Sequence, residues 1–113
     1  MRLPETLSRQ MFGLMARLLA VLDLAMVTEQ ALLARHGENA DTLPSLEELT
    51  GVREDSRQYY RRLSNLLLLI ADTEPEPAAD AVRKLRQTGV LGAEHIESAL
   101  LVVEHIKRTW RLP

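Results

Sequence analysis

A chain of 113 residues can build one hydrophobic core and hence one domain. Its 46% apolar and 27% charged residues argue against disorder, and the absence of cysteine excludes disulfides, thiolate metal sites and thiol nucleophiles. A formal net charge of −2 removes the global positive field that draws proteins to nucleic acid, leaving only a local basic face for that role.

Aromatic residues make up only 4%, so Leu, Ala and Met fill the apolar share, a balance that favours helices over strands. Twelve of the fourteen Lys and Arg residues are Arg, which suggests a GC-rich, bacterial genome. The N-terminal MRLPETLSRQ is a poor signal peptide, because the apolar run after it has no small-residue cleavage motif. That run is also a poor membrane span, since Arg17 and Asp23 interrupt it. A cytoplasmic location is the expectation.

In chain order, Pro4 and Glu5 open a helix that runs unbroken to Arg35 and His36, with Gly37 as the residue beyond its end. The segment ENADTLP, 38–44, is a polar loop. Ser45 and Glu48 form a capping box for a short helix that Gly51 ends or kinks. A long helix follows from Val52 to Ala71, and Asp72 with TEPEP stops it. Pro77 opens another, which Gly89 closes; Val90, Leu91 and Gly92 form a connector; and the last helix runs from Ala93 to Trp110. Acidic residues at the expected starts (Glu54 and Asp55; Glu74, Glu76 and Asp80; Glu94 and Glu97) suit the positive helix ends, as basic residues suit the other ends. The expectation is an all-α bundle of four to five helices with a long N-terminal helix, in an oligomer.

The first helix is apolar on most of its circumference. Leu7, Met11, Leu14, Leu18, Leu22, Met26 and Leu33 form a bulky stripe, widened by Met15 and Leu19. Across from it lie Gly13, Ala16, Ala20, Leu24, Val27, Ala31 and Ala34, beside a thin polar strip of Gln10, Arg17, Thr28 and Arg35. A helix apolar on several faces is buried on several faces. The bulky stripe is assigned to the chain's own core, and the small-residue seam to a close helix neighbour or a partner chain. The alternative is a central helix wrapped by the others. Glu29 and His36 fall on the line of the bulky stripe, near the helix end, where Glu29 reaches water.

The second long helix has a core stripe of Tyr59, Leu63, Leu66, Leu67 and Ile70, leaving Leu68 and Leu69 for another surface. Arg53, Arg57 and Arg61 recur every four residues beside Arg62, near Tyr59 and Tyr60, and form a candidate phosphate-contacting face. Glu54 and Asp55 weigh against it. The last helix is amphipathic along Ile96, Ala99, Leu100, Val103, Ile106 and Trp110, with Leu101 and Val102 off the stripe. Trp110 serves either as an interface anchor or as a lid on the bundle end.

Catalytic and ligand motifs are missing. His36, His95 and His105 have no second ligand at a helical offset, and no Glu-x-x-His pattern occurs. Phosphate loops and nucleophile elbows are absent as well, and the GVLG at 89–92 lacks the Lys and strand that a phosphate loop needs. The expected function is therefore a non-enzymatic interaction protein: an adaptor, assembly subunit or chaperone without cofactor or metal. Its interface residues would be Gly13, Ala16, Ala20, Leu24, Val27, Ala31, Leu68, Leu69 and Trp110. The partner would be a second copy or a larger protein, not a membrane. The alternative is an RNA- or DNA-contacting subunit using Arg53, Arg57, Arg61 and Arg62.

Overall fold

The computed structural model describes residues 3–72 and 79–113. They form three α-helices rather than four or five: α1 (Glu5–His36), α2 (Leu43–Ala71) and α3 (Ala79–Thr109). The helices lie side by side in a rod measuring 56 × 20 × 17 Å. A salt bridge from Glu29 to Arg53 aligns α1 and α2 antiparallel, while Met11 and Leu14 of α1 lie against Gly89 and Gly92 of α3, which makes those two helices parallel. The expected helix opening at Pro77, the TEPEP stop, and Glu74 and Glu76 lie outside the described residues.

The two missing boundaries have one cause. Gly51 and the pair Gly89 and Gly92 sit inside helices instead of ending them. A glycine in a helix interior costs about 1 kcal/mol relative to alanine. Burying one leucine contributes about 1.5–3 kcal/mol, and the seam continues through each glycine: Leu49 and Val52 flank Gly51, while Leu85 and Ile96 bracket the α3 pair. Packing outweighs local propensity. At Gly89 the missing side chain is itself useful, since a Cβ there would stand 2.9 Å from Met11 Cε. The 89–92 segment is thus a helical contact of α3 with α1, not a turn. The corollary concerns charge: Glu54, Asp55, Glu94 and Glu97 stand mid-helix, so the helix-end reading survives for Asp80 alone among the described members of those groups.

The α2 start also differs from expectation. Ser45 makes no cap hydrogen bond, and the helix begins at Leu43 with Pro44 in its first turn. Asn39 orders the turn before the helix: its Oδ1 accepts from the backbone N–H groups of Asp41 and Thr42, and its Nδ2 donates to the His36 carbonyl. The Thr42 hydroxyl, fully buried, donates to the Gly37 carbonyl at 2.8 Å and closes the loop. Gly37 takes the positive φ of 72° that the chain needs to leave α1.

The core of α1 follows Leu7, Met11, Leu14, Leu18, Val21, Ala25, Thr28 and Leu32, in alternating steps of four and three. That is the 3.5-residue period of helices that coil around one another. The expected bulky stripe keeps to four-residue steps after Leu18 and drifts off this seam. Leu22 and Met26 are consequently half-buried, and Leu19 and Leu33 exposed. Thr28, placed by sequence on the polar strip, is in the core with its hydroxyl donating to the Leu24 carbonyl at 2.7 Å. On α2 the same logic puts Leu49, Ser56, Leu63 and Ile70, each seven apart, in the core.

Two substitutions separate propensity from packing. Gly51 has open space around it, so Gly51→Ala should raise stability to urea by about 1 kcal/mol. Gly89→Leu should lower it by about 1–3 kcal/mol, because the added side chain must displace Met11.

Candidate functional site

The seam Gly13, Ala16, Ala20, Leu24, Val27 and Ala31 faces away from the core. Gly13, Ala16, Ala20 and Val27 are exposed, while Leu24 and Ala31 are half-buried. The α1 residues that pack at Gly89 and Gly92 of α3 are Met11 and Leu14. The α1 helix is not a wrapped central helix. With two neighbours rather than three, its side opposite the core is open, carrying Phe12 (59% exposed), Leu19 (50%) and Val27 (52%).

Two depressions lie where α1 meets α3, the least extensive of the three helix contacts. One, of about 730 Å³, includes Gln10, Gly13 and Arg17 of α1 with Arg86, Val90 and Ala93 of α3. The other, of about 580 Å³, includes Leu24 of α1 with Glu97, Leu100, Leu101, Glu104 and Lys107 of α3. Leu68 (61% exposed) and Leu69 (54%) sit near the end of α2 and do not belong to either depression.

Trp110 closes the opposite end of the bundle. Its indole N–H donates to Ser45 Oγ at 3.1 Å, its ring centroid lies 5.0 Å from that of His36, and its carbonyl accepts from His36 Nε2. Arg111 follows with φ of 53°, and Leu112 N–H reaches back to the Lys107 carbonyl. This is the left-handed helix ending that glycine usually supplies. Arg35 then donates to the Arg111 carbonyl, so the end of α1 also caps the end of α3. Trp110 thus ties all three helices together.

Sequence reasoning missed two polar pairs. Glu29 does not simply reach water; its carboxylate meets Arg53 Nη1 at 2.5 Å, with both side chains largely covered. On the other flank of α2, the hydroxyl of Ser56 and Nε2 of His95 are hydrogen-bonded at 2.8 Å. Tyr59 stacks on His95 with centroids 5.3 Å apart, and the Arg62 guanidinium lies 6.0 Å over Tyr59. Asp55 and Gln58 complete a small polar pocket of about 190 Å³. Burial lowers the His95 pKa below its usual 6.5, and the charge of Asp55 opposes that shift. Ser56 is fully buried, so its hydroxyl has no access to a substrate; the pair holds α2 to α3. The available signal was Ser56 itself. It sits on the seven-residue core line, and a polar group there requires a partner.

These contacts divide the four arginines. Arg53 is committed to Glu29, while Arg57, Arg61 and Arg62 are exposed, Arg62 with its guanidinium 6.0 Å over Tyr59. Among the described residues, no group of three or more His, Asp or Glu side chains is placed to hold a metal ion. No protein-family model, curated protein or solved structure matches this chain.

Trp110→Ala should destabilise the fold by about 2 kcal/mol in urea unfolding, below the 3–5 of a fully buried tryptophan. The His95 pKa sets a second expectation. The unfolded chain takes up this proton more readily than the folded one, so the His95 contribution is fully present above pH ~6.5 and is lost as pH falls below it. Thermal midpoints should decline between about pH 7.5 and 5.5, and His95→Gln should flatten that decline.

Proposed function

We propose that this chain is a non-enzymatic helical interaction protein, an adaptor, assembly subunit or chaperone, that works by covering apolar helix faces against a second copy or a larger protein. The observation that carries this reading is the open side of α1, where Phe12, Leu19 and Val27 are each at least half exposed although α1 already contributes a complete core seam on its other side. Isolated apolar residues are normal on protein surfaces. A row of them along one helix is not, and such patches mark association sites.

A membrane competes for the same surface. The most apolar 18 residues of α1 have a mean hydropathy of 1.8, enough by length and composition to cross a bilayer, and 39% of that window is buried in the bundle. Insertion would strip Leu18, Val21, Ala25 and Leu32 from their packing on α2 and α3, so the protein partner is favoured. The phosphate-contacting alternative gains little, because Arg53 is ion-paired to Glu29 within the chain and the four arginines do not form one free face.

Light scattering of the purified chain, together with binding of an apolar dye, tests the proposal. Self-association, or a monomer that binds the dye through its open face, is expected. A monomer that binds no dye would defeat it. Partition into neutral lipid vesicles with loss of the Glu29–Arg53 alignment would favour the membrane instead.

A further inference from the structure

The α1/α3 face carries charge in an order that suits one occupant. In the first depression the free charges are Arg17 and Arg86, since Arg9 is paired with its neighbour Glu5. In the second they are Glu97 and Glu104, with Lys107 at the far edge. None of these five has an ion-pair partner among the described residues. Positive charge thus lies at the first depression and negative charge at the second along the same α1/α3 face.

We propose that this face binds a second copy of the same chain, antiparallel about a two-fold axis crossing near the level of residue 95. The inference rests on the interaction reading above and names its partner. The axis lies one residue from the midpoint of α3, which spans 79–109, so the two copies overlap along almost all of that helix. It places Arg86 opposite the partner's Glu104, each nine residues, or about 13 Å, from the axis. Val90 then meets the partner's Leu100, pairing side chains that are 59% and 42% exposed in the single chain. A parallel pairing would instead set Arg86 against Arg86 and Glu104 against Glu104. The self-complementary patch is what a two-fold interface demands.

The test is sedimentation velocity on the full chain across a concentration series, with circular dichroism as the folding control. Wild type is expected to dimerise. Arg86→Glu and Glu104→Arg, both at exposed positions, should each weaken the dimer roughly tenfold or more by setting like charges together. The double variant Arg86→Glu/Glu104→Arg should recover most of that loss; in a parallel dimer like charges would face each other in every variant, so neither the loss nor the recovery would appear. A wild-type monomer at ~100 µM, where a dissociation constant in the micromolar range would already give dimer, overturns the proposal. So does a dimer that ignores both charge reversals. A monomer that still binds apolar dye leaves the interaction reading standing with another partner; a monomer that binds none ends both.

Discussion

In a bundle of three helices each helix has one seam that faces the other two, and everything else about this molecule follows from that limit. α1 supplies the seam with Leu7, Met11, Leu14, Leu18, Val21, Ala25, Thr28 and Leu32. It then carries a further row of apolar residues that no third neighbour covers. A fourth helix would have buried that row. The residues expected to break α3 into two helices are instead the contact that holds it straight against α1, so no fourth helix forms.

The glycines show how sequence and packing share the outcome. At Gly89 the absence of a Cβ admits the end of Met11, and at Gly92 a Cβ would fall 3.6 Å from Leu14. Glycine at 89 gives up helix propensity and gains room for Met11, whereas a Cβ at 92 would make an ordinary contact. The bundle ends are fastened by polar devices of another kind: Asn39 and Thr42 at the α1–α2 loop, and Trp110 with its partners Ser45 and His36. Between them, the Glu29–Arg53 and Ser56–His95 pairs fix the register of α2 against each neighbour. The polar interior groups thereby specify alignment, while the apolar seam supplies most of the stabilisation.

How much of this was legible in the sequence depended on range. The all-helical class, the full extent of α1 and its end at Gly37 are local properties, set by propensity and by a glycine that alone accepts the required backbone. The exposure of Leu68 and Leu69 also followed from helical phase. Helix number did not, because Gly51, Gly89 and Gly92 look the same locally whether they end a helix or line a contact. The α1 core slipped for another reason: the expected stripe continued in four-residue steps past Leu18, where the seam goes on alternating threes and fours, which misplaced Leu22, Met26 and Thr28. The Ser56–His95 pair, 39 residues apart, is a tertiary fact with only a polar residue on a core line to announce it.

On the proposed reading, the ordered charges and the exposed Val90, Leu100 and Leu101 of α3 form the dimer surface, and Phe12 and Leu19 of α1 lie outside its two depressions. The most direct measurement is hydroxyl-radical footprinting of the full chain by mass spectrometry at low and high protein concentration. The account predicts that Val90, Leu100 and Leu101 become protected as concentration rises while Leu68, outside both depressions, keeps its reactivity. Equal reactivity of all four residues at every concentration would contradict it.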